Sequence, residues 1–98
     1  MIRKRKSRGS NEVRVTFVLP GDHQHGEAAL VGTFNGWSPV THPFVRRSNG
    51  TYSVSVVLNA GERHLFRYYA EDGHWFNEPE ADGYEPSGHG SDNCVLQL

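Results

Sequence analysis

Short segments in which apolar side chains occupy every second position constrain the fold of this chain more than any other feature. The two clearest segments are residues 13–19 and residues 52–58. A period of two places alternate side chains on opposite faces of a strand, so each segment is predicted to be a β-strand with one buried face. A Pro-Gly pair follows the first segment and an Asn-Gly pair precedes the second, as expected where the chain reverses direction.

Further strands are predicted from shorter patterns that are also bounded by turn residues. They are residues 28–34, residues 63–70, a short run through Trp75 and Phe76, and residues 93–98. The polar residues 77–92 are interpreted as a loop. No window shows convincing helical periodicity, and turn signals about every ten residues are typical of an antiparallel sandwich or barrel. The predicted fold class is all-β, and the pattern does not determine the strand order.

The charges divide the chain into a basic beginning and an acidic remainder. Five of the ten Lys and Arg residues lie in the first eight positions, so residues 9–98, with five basic and eleven acidic residues, carry a formal charge of −6. Residues 1–10 lack apolar periodicity and are predicted to be a disordered basic tail, and residues 11–98 one folded domain. The tail is interpreted as solubilising rather than nucleic-acid binding, because nucleic-acid binders extend positive charge over their folded face.

The sequence favours a cytoplasmic protein. No segment is apolar over a length that spans a membrane, and no apolar run follows the basic residues as it would in a signal peptide. The single cysteine, Cys94, excludes an intrachain disulfide, and a small domain without disulfides suits a reducing compartment.

Catalysis is not predicted. Cys94 lies in a predicted strand, where a buried structural thiol is expected rather than a nucleophile. Two acidic pairs, Glu78 with Glu80 and Asp82 with Glu85, lie in the predicted loop and are expected to be solvated. Glycoside hydrolysis would require two carboxylates facing each other across a cleft.

The histidines are interpreted as scattered surface side chains, and no metal or other cofactor is predicted. The sequence contains no Cys-x-x-Cys or His-x-x-x-His spacing, and a catalytic zinc needs three converging ligands. The six histidines are His23, His25, His42, His64, His74 and His89.

Two tryptophans lie in predicted turns, where a core seldom takes its bulk. Trp37 follows Phe-Asn-Gly, and Trp75 follows Asp-Gly-His. An indole offers a rigid apolar face with one donor at its edge, which suits stacking on the C–H face of a glucose ring. Two indoles at an angle could follow a curved α-1,4-linked glucan, with Arg67, Ser91 and Asn93 bonding its hydroxyls. The pattern supports equally the alternative that both tryptophans are core residues.

Three blocks of sequence carry a family resemblance. They are Leu-Val-Gly-Thr-Phe-Asn-Gly-Trp-Ser at residues 30–38, Gly-Glu-Arg-His-Leu-Phe-Arg-Tyr-Tyr-Ala-Glu-Asp-Gly-His-Trp at residues 61–75, and Gly-Ser-Asp-Asn-Cys-Val-Leu-Gln-Leu at residues 90–98. In this order and spacing they resemble the motifs of carbohydrate-binding module family 48. That family includes the glycogen-binding domain of the AMP-activated protein kinase β subunit and the N-terminal early-set domains of isoamylases and branching enzymes. The resemblance covers about residues 12–98.

The resemblance implies an immunoglobulin-like early-set β-sandwich that binds α-linked glucan, such as glycogen or starch, without catalysing a reaction. The family's stacking tryptophans fall on Trp37 and Trp75, its basic ligand on Arg67, its amide ligand on Asn93 and its hydroxyl ligand on Ser91. The alternative function is a protein-interaction or spacer domain that partners a glycogen-metabolising enzyme or a kinase without binding sugar.

Two positions depart from the family pattern. Arginine stands at position 67, where lysine is common in the family, and its planar fork differs from a point charge. The acidic loop before Asn93 carries His89 where the kinase-type modules have an apolar residue that contacts the sugar.

Overall fold

Two antiparallel sheets face each other and form an immunoglobulin-like β-sandwich, which confirms the predicted all-β fold class. The computed structural model describes residues 1–88 and 90–98. Its strands, in chain order, are β1 (Ile2–Lys6), β2 (Glu12–Leu19), β3 (Ala28–Gly32), β4 (Val45–Arg46), β5 (Tyr52–Asn59), β6 (Arg63–Ala70), β7 (Trp75–Phe76), β8 (Gly83–Pro86) and β9 (Asp92–Gln97). Sheet A has the order β1-β2-β5-β4, and sheet B has the order β3-β6-β9-β8 with β7 paired to β6.

The core lies between the inward faces of the two sheets, as the alternation predicted. The inward residue Leu58 of β5 is partly buried and packs against the core. The other inward residues of β2 and β5 are buried: Val13, Val15, Phe17, Leu19, Tyr52, Val54 and Val56. The Phe17 ring centroid lies 5.1 Å from that of Phe66 and 6.4 Å from that of Tyr68, both edge-on, so it joins β2 to β6. Each such buried side chain contributes about 1.5–3 kcal/mol. Because Phe66 and Tyr68 point inward, Arg67 and Tyr69 point to the outer face of sheet B.

Strand β3 is shorter than predicted because the chain leaves the sheet at Gly32. Residues Thr33–Asn35 form one turn of 3-10 helix instead of continuing the strand to residue 34. The Asn35 side chain holds this turn, because its Oδ1 accepts from the Gly32 amide and its Nδ2 donates to the Leu30 carbonyl, both at 3.0 Å. A Cβ at position 32 would lie 2.6 Å from the Leu65 carbonyl oxygen, so only glycine allows this close approach.

Residues 42–44 cover the edge of β3 that is not paired with β6. The Leu30 amide donates to the His42 carbonyl and the Phe44 amide donates to the Ala28 carbonyl, both at 2.9 Å. Pro43 lies opposite Ala29 in an isolated bridge. This segment therefore occupies much of the β3 edge of sheet B.

The expected disorder of residues 1–10 is not observed over Ile2–Lys6, which form β1. It pairs with β2 from Ile2 opposite Phe17 to Lys6 opposite Val13. The missing apolar alternation has a physical reason: β1 is an edge strand held by backbone bonds, and four of its five side chains are exposed. The predicted loop 77–92 likewise contains an edge strand, β8, which pairs with β9.

In the described part of the chain, no helix has the length and apolarity that a membrane span requires.

Candidate ligand-binding site

All five residues predicted to contact a ligand line one open cavity of about 720 Å³. The cavity lies on the outer face of sheet B, where β6, β7 and β9 meet the turn after β3. Its lining residues are Trp37, Arg67, Trp75, Ser87, Ser91 and Asn93. Residues from four separate segments therefore converge at one place on the surface.

Arg67 contacts two other lining residues, Ser91 and Trp75, and is held by two hydrogen bonds. Its Nε donates to Asn77 Oδ1 and its Nη1 donates to Ser91 Oγ, both at 2.9 Å. The guanidinium carbon also lies 5.5 Å from the centroid of the Trp75 ring, in a cation–π contact. Among the described residues, these bonds use two of the five guanidinium N–H groups, which leaves donors for a ligand.

Asn77 is a positioning residue that the sequence interpretation missed. Besides accepting from Arg67, its Nδ2 donates to the Asp92 carbonyl at 2.9 Å, so it ties β6 to the start of β9. The signal was available, because Asn77 lies two residues after Trp75 and alternation places both on the same side of the chain.

Trp75 presents the most accessible apolar surface of the cavity, with 47% of its surface exposed. It lies opposite Tyr69 in the β6–β7 pairing, and the two ring centroids are 4.7 Å apart at 54°. Tyr69 therefore supports the indole from the sheet, although it was not among the predicted site residues. A rigid, supported and exposed indole is suited to stacking.

Trp37 is half-buried and has an unusual backbone conformation. Among the described residues, it is the only non-glycine residue with a positive φ, 61°. Such a conformation costs on the order of 1–2 kcal/mol for a residue with a Cβ, and contacts nearby must compensate for it. One of these contacts is the hydrogen bond from the Trp37 amide to the Gly32 carbonyl at 2.9 Å. The 3-10 turn thus sets the direction of the indole.

Hydroxyl and amide groups form the remaining wall of the cavity. The Ser87 amide and Oγ both donate to the Ser91 carbonyl, at 3.0 Å and 2.5 Å, which closes the turn between β8 and β9. Asn93 lies on β9 opposite Glu85. Ser87 was not predicted, since its part in the cavity depends on β8, which the sequence pattern does not indicate. The expectation concerning His89 lies outside the described residues.

Cys94 points to the opposite side of β9 from Asn93 and is buried, as predicted. Burial raises the pKa of this thiol to about 11, so it is protonated at neutral pH.

The side chains that line the cavity offer indole faces, hydroxyls, an amide and one fixed cation. These groups bind ligands by stacking and hydrogen bonding.

The acidic pairs differ from the sequence expectation at one residue. Glu78 is completely buried rather than solvated. Its Oε1 accepts from the Tyr68 hydroxyl at 2.9 Å and from the Met1 ammonium at 2.8 Å, and its Oε2 accepts from the Glu80 amide at 2.8 Å. Burial, together with the neighbouring Glu78 carboxylate, raises the pKa of Tyr68. Glu78 therefore supports the core beneath sheet B instead of lining the cavity.

The histidines are not all scattered. His25, between β2 and β3, lies beside Asp72 and His74 in the β6–β7 turn, and these three side chains form a group whose donor atoms could hold a cation. His23 is also half-buried, with burial lowering its pKa. The sequence interpretation missed this convergence because the two segments meet only in the folded sandwich.

No family model matches the sequence, and no curated protein is significantly similar to it. The proposed function therefore rests on the geometry of the cavity, the chemistry of its lining residues and the resemblance of the three sequence blocks.

Proposed function

We propose that this domain is a non-catalytic module that binds α-linked glucan. In this proposal Trp37 and Trp75 stack on glucose rings, and Arg67, Ser91 and Asn93 bond the hydroxyls. The observation that supports it most is that both indoles and the fixed guanidinium line one open cavity. The resemblance of the three sequence blocks to carbohydrate-binding module family 48 is a second, separate line of support.

The chemistry of the cavity suits a neutral sugar chain. A glucose ring has flat C–H faces surrounded by hydroxyls, so it needs stacking surfaces with donors and acceptors near their edges. The exposed indole of Trp75 provides such a surface, and Arg67 lies over the same ring. The cavity volume of about 720 Å³ falls within the range of about 300–1,000 Å³ typical of small-ligand sites.

The affinity should be modest. The bonds from Arg67 to Asn77 and Ser91 orient the guanidinium before binding, which lowers the entropic cost of association. The site is nevertheless open and offers few contacts, so we expect a dissociation constant of roughly micromolar to millimolar. A cytoplasmic glycogen-like polymer, with many equivalent sites, would suit such weak binding.

Titration with maltoheptaose, followed by NMR of the labelled protein, tests the proposal. We expect saturable shifts of the indole N–H signals of Trp37 and Trp75 and of the Asn93 side-chain amide. A β-1,4-linked glucose oligomer of the same length is the matched control, because it has the same monomer but a straight chain. It should give much smaller shifts.

Absence of any shift at about 10 mM maltoheptaose would contradict the proposal, since binding that weak falls below the expected range. Recovery of one stoichiometric protein partner, unaffected by added glycogen, would then favour the alternative of a protein-interaction or spacer domain. A glycogen-metabolising enzyme is the partner that this alternative predicts.

A further inference from the structure

We propose that His25, Asp72 and His74 form a binding site for a divalent transition-metal ion such as Zn²⁺. One ring nitrogen of each histidine and one carboxylate oxygen lie within 4.8 Å of one another. Two imidazoles and one carboxylate are ligands that Zn²⁺ commonly takes in proteins. The site neighbours Trp75 but does not depend on glucan binding.

The donor atoms need a movement of about an ångström to coordinate one ion. In a tetrahedral site, two ligands about 2.1 Å from the ion lie about 3.4 Å apart, so a separation of 4.8 Å must close by about 1.4 Å. Asp72 and His74 already approach each other to 3.0 Å between Oδ1 and Nδ1. Their side chains are 52% and 70% exposed, so they are free to rotate by the required amount.

The two segments that provide the ligands are held together by the fold. The Glu71 amide donates to the Glu27 carbonyl at 2.9 Å, which joins the β2–β3 loop to the β6–β7 turn. The His25 ring stacks on Phe76, with centroids 4.2 Å apart and planes inclined by 17°. The imidazole is therefore placed beside the turn before any ion binds, which lowers the entropic cost of coordination.

The backbone also positions the carboxylate. The His74 amide donates to Asp72 Oδ1 at 3.1 Å, which holds the carboxylate at the β6–β7 turn beside the His74 ring.

The ligand set selects the class of metal. Imidazole nitrogens bind Zn²⁺, Cu²⁺ or Ni²⁺ in preference to Mg²⁺ and Ca²⁺, because Mg²⁺ and Ca²⁺ prefer ligand sets made of oxygen atoms. Three protein ligands on an exposed surface leave the remaining coordination position to water. Coordination would clamp the β6–β7 turn at the residue next to Trp75.

Calorimetric titration of the tag-free protein with Zn²⁺ tests the site. We expect one ion per chain with a dissociation constant of about 1–100 µM. His25→Ala and His74→Ala should each weaken binding by at least about tenfold, since the ion loses one of three protein ligands. All three side chains lie near the surface, so these variants should fold.

His64→Ala is the matched control. Glu62 and His64 have the same spacing as Asp72 and His74 and a similar contact, 3.1 Å between Oε1 and Nε2. Among the described residues, however, no second histidine or cysteine joins this pair in a ligand group. Its removal should change Zn²⁺ affinity by less than about twofold.

Imidazole ¹⁵N spectra provide an independent readout. Zn²⁺ should shift ring-nitrogen signals of His25 and His74 and leave those of His64 unchanged. The proposal is overturned if Zn²⁺ does not bind at about 1 mM. It is also overturned if His25→Ala binds Zn²⁺ like the unaltered protein, which would mean that the Asp72–His74 contact is an ordinary ion pair.

Discussion

The outer faces of the two sheets are built on the same alternation but present different chemistry. On sheet A, β5 turns the small side chains Ser53 and Ser55 outward, and Ser55 Oγ bonds Thr16 Oγ1 at 2.8 Å. On sheet B, β6 turns Arg67 and Tyr69 outward, beneath the exposed indole of Trp75. The inward residues determine that both strands form, and only the outward residues distinguish the solvated face from the face that we propose binds a ligand.

Both outer faces depend on the core that lies between the two sheets, so a large loss of core packing should destabilise both faces together. Phe17→Ala deletes the ring that contacts both Phe66 and Tyr68, and we expect it to lower the free energy of unfolding by about 3–5 kcal/mol. Urea denaturation followed by circular dichroism measures this loss. A loss below about 1 kcal/mol would mean that the two sheets do not depend on this contact.

Altering one outer face at a time should separate binding from stability. Trp75→Ala should weaken maltoheptaose binding by at least about tenfold and change the free energy of unfolding by less than about 1 kcal/mol, because the indole is exposed. Ser55→Ala should leave binding unchanged and lower stability by about 0.5–1.5 kcal/mol, because Thr16 loses its partner. Calorimetry measures the affinity of each variant for maltoheptaose, and urea denaturation measures its free energy of unfolding.

If Ser55→Ala weakened binding as much as Trp75→Ala, the two outer faces would not be functionally distinct. If Trp75→Ala bound maltoheptaose normally, the stacking role of this indole would be wrong.

Replacing the guanidinium tests whether its geometry matters beyond its charge. Arg67→Lys keeps a positive charge but loses the planar fork that bonds Asn77 and Ser91 at once. We expect glucan binding to weaken by about three- to tenfold. Affinity equal to that of the unaltered protein would show that a point charge is sufficient at this position.

The smallest predicted effect concerns the contact that joins the two sheets at Asp82. Burial acts to raise the pKa of Asp82, but hydrogen bonds from the Gln97 amide at 2.8 Å and from Lys4 Nζ at 2.6 Å outweigh it, and the pKa lies below its ordinary value. A carboxylate with a lowered pKa stabilises the fold above its unfolded pKa, about 3.9, and this stabilisation is lost as the pH falls through the folded value.

Asp82→Asn should therefore lower the free energy of unfolding by less than about 1 kcal/mol at pH 7, since the pair is partly exposed. The difference between the two proteins should shrink as the pH falls below about 4. Urea denaturation at a series of pH values measures it. A difference that stays constant down to pH 2 would show that the ionised carboxylate is not responsible.

The strands that pack on the core could be predicted from sequence, and the edge strands β1, β4 and β8 could not. Phe17 and Tyr68 are buried because of where they stand in an alternating segment, which is local information. Strand β1 is held mainly by backbone bonds to β2, and these leave no apolar pattern in its charged side chains. Glu78 is buried because Tyr68 and other donors meet it in the folded structure, which its polar sequence context does not indicate.

The cavity was more predictable than its supports. Trp37 and Trp75 each follow recognisable turn residues, and the resemblance of the sequence blocks assigns both a binding role, although their pattern alone supports a core role equally. Asn77 and Tyr69 act through neighbours on adjacent strands, so their roles depend on the register of β6 with β7. His25 lies next to Asp72 and His74 only in the folded protein, because the two loops that hold them are far apart in the sequence. The spacing of these residues in the sequence does not indicate that they are close together.

Pro43 lies opposite Ala29 at the rim of sheet B, and it affects whether copies of this domain can pair through that rim when they are close together. On the proposed polymeric ligand, neighbouring copies would be held at high local concentration. A bare strand at the rim would then pair with the same strand of another copy and promote aggregation. Proline has no amide hydrogen to donate, and the bonds from Leu30 to His42 and from Phe44 to Ala28 already occupy nearby backbone groups. If the domain binds such a polymer as proposed, copies that lie side by side would not associate through this rim of sheet B.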